Sequence, residues 1–199
     1  MGCLKGKKIA FLGSSITYGF AAGGWSFVDA LAEVDGIVPT KSAINGTTLA
    51  DIGPDSYVAR LQRDFSAPSY DAFVCQLSTN DGRVGCQLGT IQADHFDTKT
   101  TIGAVEMVCA TVQRRFNCPM IWFTCVQPND DDYAILVKTL YQLQERWHFI
   151  IIDLWHDQSL AANIVKTPES MADAIHPTRL GYQKLWLPIF RKTLTALLK

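Results

Sequence analysis

The sequence predicts a three-layer α/β/α fold in which about five mostly parallel strands lie between two layers of helices. Three observations lead there. Short apolar runs of strand length recur along the chain, they alternate with stretches whose apolar residues repeat every three or four positions, and the runs lack the polar alternation of a half-exposed strand. Alternation of this kind implies right-handed crossovers and a sheet covered on both faces.

The first strand is expected over Lys8 to Leu12, and a helix follows on the stripe Trp25, Val28, Leu31 and Ala32. A weaker strand is expected near Pro39 to Ile44, and a stronger one over Ala72 to Leu77. Val105, Val108, Cys109, Val112 and Phe116 mark the next helix, which leads into a strand over Met120 to Val126. Leu136, Leu140, Leu143 and Trp147 form a further stripe, and Phe149 to Leu154 supplies the fifth strand. Tyr182, Trp186, Ile189, Thr193 and Leu197 form a last helix, which Pro188 is expected to kink.

With 199 residues, 48% hydrophobic and 19% charged, the chain suits one domain over residues 1–199 with one sizeable core. A formal net charge of -1 offers no basic stripe for nucleic acid. No segment approaches the roughly 20 apolar residues of a membrane span. The apolar stretch Ile9 to Leu12 after Lys5, Lys7 and Lys8 is too short for a secretory signal. Gly2 is not followed by Ser or Thr at position 6, where Gly6 stands, so the pattern for N-terminal myristoylation is missing. The cytoplasm is the expected compartment. The six cysteines show no metal-ligand spacing and read as reduced thiols packed as small hydrophobes. Oligomeric state has no signature.

Binding sites in such folds open at the carboxyl ends of the strands. Ser15 follows the first strand, Gly46 the second, Asn80 the third, and Asp173-Ala174-Ile175-His176 comes after the fifth and a loop. A serine at the first strand-to-loop turn, with a histidine and a carboxylate three residues before it far along the chain, suggests nucleophilic acyl chemistry. The irregular stretch from Asp81 to Thr100 is long enough to expect a functional role.

Taken singly, each residue also has a plainer reading. Ser15 suits a helix cap, Asn80-Asp81-Gly82 a turn, Gly46 a loop, and Asp173 a cap for the turn before His176, with Pro177 holding that histidine extended. His95, His148 and His156 read as surface or satisfied histidines without ligand-spaced partners. Asp130-Asp131-Asp132 reads as a helix start favoured by the helix dipole, not as a metal cluster. Gly13 to Gly19 lacks the Gly-Lys-Ser/Thr ending of a phosphate loop.

Four short blocks in order make the chain resemble the SGNH (GDSL) hydrolases, a family of esterases, lipases and acylhydrolases. Phe11-Leu12-Gly13-Ser14-Ser15-Ile16-Thr17 resembles the first block, Ile44-Asn45-Gly46-Thr47-Thr48 the second, Ser78-Thr79-Asn80-Asp81 the third and Asp173-Ala174-Ile175-His176 the last. The resemblance implies a flavodoxin-like sandwich, Ser15 as nucleophile, His176 as base, Asp173 as its orienting carboxylate, and an oxyanion hole from Ser15, Gly46 and Asn80. It implies no metal or organic cofactor. Two positions depart from the family: Ser14 replaces an aspartate, and Ser78 replaces a glycine, which is expected to restrict the backbone there.

The expected substrate is a small-molecule acyl ester. Tyr18, Phe20 and Trp25, the Asp81 to Thr100 loop and Val126-Gln127-Pro128 are expected to line its pocket, and their small polar and aromatic character favours short acyl groups. The alternative is a flavodoxin-like binding module, or a family member without turnover that holds an acylated ligand.

Overall fold

In a computed structural model, which describes residues 3–126 and 131–199, the three central strands β1 (Lys8–Gly13), β3 (Ala72–Gln76) and β4 (Met120–Phe123) are buried along nearly their whole length. That is why their sequences carry no polar alternation: helices cover both faces. With β2 (Val38–Ala43) and β5 (Ile150–Ile152) they form one parallel sheet in the order β2-β1-β3-β4-β5. β2 is the exposed edge, and Pro39, which cannot donate to a ladder, is tolerated there. Five parallel strands and covering helices on both sides match the expected class.

Helices α1 (Ser15–Tyr18) and α2 (Phe27–Asp35) follow β1, and α3 (Tyr57–Arg63) follows β2. After β3 comes α4 (Thr101–Thr111), which runs on as a π turn over Val112–Phe116; α5 (Asp131–Trp147) follows β4. Beyond β5 lie α6 (Gln158–Lys166), the single turn α7 (Arg179–Gly181) and α8 (Leu187–Leu197). Polar residues set several starts. Ser26 and Asp29 form a reciprocal capping box on α2, Ser56 accepts from Ala59 N on α3, Thr100 from Gly103 N on α4 and Asp157 from Leu160 N on α6.

Two aromatic cores show how the layers lock. On one face Phe27 of α2 stacks on Phe190 of α8 at 3.9 Å and meets Phe11 and Phe123 edge-on. On the other, Phe73 packs between Phe65 and Phe116, with Tyr70 against both. Phe11 and Phe73 lie one register step apart on neighbouring strands, so they point to opposite faces.

Around Pro188 the helical run is irregular, as expected of a proline inside such a run. Pro188 stands in the first turn of α8, which continues directly from the π turn Tyr182–Trp186, and that π turn takes up the irregularity where proline offers no N–H. Helices after the second and fifth strands are expected from the alternation, but α3 and α6 are not located by it, because both are short and mostly carry polar or small residues. Asp131 and Asp132 sit in the first turn of α5, as the dipole favours; Asp130 lies outside the described residues, as do Gly2, Gln127 and Pro128.

All six thiols are unpaired. Burial pushes the Cys125 thiol up to about 12 and those of Cys86 and Cys118 to about 11, while Cys75 and Cys109 are fully buried. Since the thiolate is the reactive form, native-state alkylation should mark exposed Cys3 first and reach Cys75, Cys109 and Cys125 only on unfolding. Peptide mass spectrometry after iodoacetamide treatment at neutral pH checks this.

Candidate active site

The sheet order places β1 at the point where connections diverge, to β2 on one side and to β3 on the other. The crevice of a doubly wound sheet opens at such a point, beyond the carboxyl ends. Ser15 begins α1 directly after β1 and is buried. Gly13 allows the tight turn: a Cβ there would stand 2.0 Å from Thr17 Oγ1 and 2.9 Å from Gln76 Oε1. The same Gln76 oxygen accepts from Ser14 N at 3.0 Å, Thr17 N at 3.2 Å and Thr17 Oγ1 at 2.8 Å. Its amide nitrogen donates to Ser14 Oγ at 3.0 Å, so a neutral pair fills the fully buried place where the family has an aspartate. A buried charge there would need a cationic partner; the hydroxyl needs only this amide.

His176 Nε2 lies 2.9 Å from Ser15 Oγ, across 161 residues of sequence. Its Nδ1 lies 2.7 Å from Asp173 Oδ2, while Asp173 Oδ1 accepts from the backbone N–H of Ile175 and His176 at 2.8 Å each. Asp173 therefore both caps its turn and holds the ring. Burial alone would raise its pKa; the hydrogen bonds from His176 and the two N–H groups outweigh that and keep the carboxyl below its ordinary value. The segment is clamped at its base, where Met171 bridges Pro177, Ala172 N donates to His176 O and Thr178 N to Ser170 O, both at 2.9 Å. Tyr182 Oη donates to Ile16 O at 2.7 Å, tying the C-terminal layer to the turn of Ser15. Phe20, half exposed, rests its ring 5.0 Å from that of His176.

The other two predicted residues follow β2 and β3, the strands on either side of β1. Gly46 holds φ +74, in the left-handed region, and no heavy atom lies within 4 Å of where a Cβ would stand; the backbone, not crowding, calls for glycine. Among the described residues the N–H groups of Ser15 and Gly46 make no hydrogen bond within the protein. Asn80 Nδ2 donates to Thr47 O at 2.9 Å, which orients its amide beside the Gly46 turn. Ser78 is not in the left-handed region that would have restricted it; its hydroxyl accepts from Asn80 N at 3.1 Å, so the departure from glycine adds a brace.

Three supporting residues had no signal strong enough to single them out. Gln76 ends a strand and looked like part of its run. Asp81, only 2% exposed, accepts from Leu49 N and Ala50 N at 2.9 Å and from Thr101 Oγ1 at 3.2 Å, joining the Gly46 segment to the loop of Asn80. Its burial raises the carboxyl pKa against these hydrogen bonds. Arg60 of α3 is fully buried and donates to Gly13 O, Ser42 O, Thr47 Oγ1 and Asp55 O at 2.7 to 3.0 Å. Only the fold could show an arginine threaded beneath two strand ends.

Of the expected lining residues, Val126 borders a cleft of about 430 Å³ that Asp173 and Ala174 also line. Tyr18 is partly exposed at the end of α1. Trp25 is engaged elsewhere, with Nε1 donating to Glu33 at 2.8 Å and the Arg179 guanidinium 4.2 Å over its ring. His148 follows α5 at φ +53, and His156 pairs with Asp153. Among the described residues no cluster of three or more His, Cys, Asp or Glu side chains is placed to hold a metal, and no helix is long and apolar enough to cross a membrane.

Solved structures share this architecture. A protein from Lactobacillus plantarum is 20% identical with a TM-score of 0.75, covering 96% of this chain and 98% of its own. A variant of an acetyl xylan esterase from Geobacillus stearothermophilus is 19% identical with a TM-score of 0.66, covering 96% and 95%. A family two carbohydrate esterase from Clostridium thermocellum, solved with cellohexaose, is 16% identical with a TM-score of 0.68, covering 96% of this chain and 64% of its own. At such identities the likeness shows the fold. No curated protein sequence matches. The sequence itself carries the stronger evidence: residues 11–184, from the strand before Ser15 to beyond His176, match the model of the GDSL-like lipase/acylhydrolase family, and the chain belongs to that family.

Proposed function

We propose that the protein is a serine-dependent carboxylic ester hydrolase that works through an acyl-serine intermediate on short-chain esters. The observation that carries this is the continuous chain from Ser15 Oγ to His176 Nε2 at 2.9 Å and from His176 Nδ1 to Asp173 Oδ2 at 2.7 Å. A serine hydroxyl is a weak nucleophile until a base takes its proton. His176 takes it as Oγ adds to the ester carbonyl; collapse of the tetrahedral intermediate breaks the carbonyl carbon to alkoxy oxygen bond, and the same proton goes to the leaving alcohol. Water then repeats the sequence and frees the acid. Asp173 holds the tautomer with Nδ1–H and stabilises the ring when it is charged.

The oxyanion would be received by Ser15 N–H, Gly46 N–H and the N–H of Asn80 not given to Thr47. Asn80→Ala should therefore lower kcat by about 10² to 10³, with little change in KM. Loss in KM alone would remove Asn80 from that role. A hollow of about 290 Å³ beside Gly46, walled by Ile52, Pro54 and Val84, is a small apolar place for the acyl group. Rates on acetyl, butyryl and octanoyl p-nitrophenyl esters should fall with length; a steep rise toward octanoyl would overturn the short-chain preference. The buried, unpaired thiols support a cytoplasmic placement.

A fluorophosphonate probe tests the mechanism directly. One equivalent should attach at Ser15 and labelling should vanish in His176→Ala. Folded protein that takes no label would favour the binding module instead.

A further inference from the structure

The tetrapeptide Asp153-Leu154-Trp155-His156 repeats the Asp-x-x-His spacing, and it takes up nearly the same hydrogen-bonded form as Asp173 to His176. Asp153 Oδ1 accepts from the N–H groups of Trp155 at 3.1 Å and His156 at 3.2 Å, and Oδ2 lies 2.7 Å from His156 Nδ1. Thr124 Oγ1 donates to Asp153 at 2.9 Å, and the Tyr141 hydroxyl donates to its other oxygen. The carboxylate is thus anchored from two further elements. Burial alone would raise its pKa, but these hydrogen bonds outweigh that and hold it below the ordinary value.

The second pair differs in what lies at Nε2. His176 meets a serine; His156, with a side chain 62% exposed, has no hydrogen-bonded hydroxyl or thiol among the described residues. It is no second nucleophile site. An imidazole whose Nδ1–H is given to a carboxylate presents Nε2 outward as an acceptor in its neutral form.

That nitrogen belongs to a ring lining the cleft of about 430 Å³, within the roughly 300–1,000 Å³ of small-molecule sites. Leu154, Trp155, Ile164 and Met171 give the cleft apolar walls, and Gln158 adds an amide beside His156. Asp173 and Ala174 also line it, so the cleft borders the triad at its carboxylate. The histidine must hand its proton to the leaving oxygen, whereas the proposed oxyanion donors lie with Ser15, Gly46 and Asn80. The cleft borders the histidine's own segment, whereas none of the proposed oxyanion donors lines it, which sets it on the side of the leaving alcohol.

We propose that this cleft is the subsite for the alcohol portion of the substrate, and that it selects an alcohol carrying further hydroxyls on an apolar face, the chemistry of a sugar ring, with His156 as hydrogen-bond acceptor. The proposal rests on the ester-hydrolase reading and names the half of the substrate that reading leaves open. Asp153 is a positioning residue here: it fixes the tautomer and direction of His156.

The test compares kcat/KM on a mono-acetylated methyl glycoside with that on p-nitrophenyl acetate, which has no hydroxyls to offer. In the wild-type protein the ratio is set as reference. His156→Ala should lower it about fivefold to tenfold, the effect of one lost hydrogen bond. Ile164→Trp, which fills the cleft while leaving His156 in place, should lower it as well. Ratios within twofold of wild type for both variants overturn the proposal. A readout that needs no turnover accompanies it: in Ser15→Ala protein, the ring-proton resonances of His156 should shift on titration with the acetylated glycoside. If neither ester is hydrolysed, the ester-hydrolase reading fails on its own; a shift of His156 then still supports the subsite, and no shift overturns it.

Discussion

Ser15→Ala is expected to lower kcat by about a millionfold while leaving the protein folded, as removal of a nucleophile does in serine hydrolases whose triad acts as a unit. Ser15 Oγ is the only side-chain atom lost, and among the described residues its one hydrogen bond is to His176. The turn itself is held by Gln76 and by Gly13, neither of which touches that hydroxyl. The expected signature is non-additivity. His176→Ala should cost about as much as Ser15→Ala, and the double variant no more than either, because each alone stops proton transfer coupled to attack. Asp173→Asn should cost less, since the residue orients the base without exchanging a proton with substrate. Single-turnover kinetics on p-nitrophenyl acetate, with circular dichroism as the fold control, check all four proteins. Losses that multiply in the double variant would mean that Ser15 and His176 do not act together.

Arg60→Met should destabilise the fold by about 3–5 kcal/mol, since several buried neutral oxygens lose their donor at about 1–3 kcal/mol each. For a chain of this size that is roughly 6–20 °C in Tm. The guanidinium is fully buried and its acceptors are backbone carbonyls at the ends of β1 and β2 together with Thr47 Oγ1. Methionine fills much of the same space but donates nothing, so those oxygens lose their partners in a dry place. Burial also pulls the Arg60 pKa below its usual value, opposed by Tyr57 and Asp64, yet an arginine keeps its proton. Catalysis should fall with stability, because Thr47 adjoins Gly46 and its carbonyl orients Asn80. Arg60→Lys should recover only part, since one ammonium cannot span acceptors set out for a planar fork. Thermal unfolding and kcat on the same preparations check this, and a Tm within 2 °C of wild type for Arg60→Met would sink it.

How much of this was legible depends on the range of each interaction. Strand runs announce themselves because burial on both faces leaves Ala72 to Leu77 without polar alternation, Gln76 alone being polar, and β1, β3 and β4 fall where the pattern puts them. Edges are harder. β5 has only three residues although the expected strand is six long, since Asp153 breaks the apolar run and its carboxylate is held by Thr124, Tyr141 and His156. The last helix is expected to bend at Pro188, but the π turn before it is not legible because such a turn keeps the apolar stripe while altering the hydrogen bonds. Asp153-Leu154-Trp155-His156 carried its spacing openly, but its partners Thr124 and Tyr141 lie far enough away in sequence that the motif had no visible context.

The sequence by itself determined the sheet class, the two block glycines and the residue types needed for a nucleophile, a base and a carboxylate, because each is a local requirement of burial, backbone angle or ionisation. Distances were left to the tertiary structure. Ser15 and His176 are 161 residues apart, and only packing of the C-terminal layer against the Ser15 turn, through Tyr182 and Ile16 and the clamp at Met171 and Pro177, brings Oγ within 2.9 Å of Nε2. Arg60, Gln76 and Asp81 gain their meaning in the same way: each is an unremarkable polar residue in the chain and becomes a brace only when burial leaves distant backbone groups with no water to turn to.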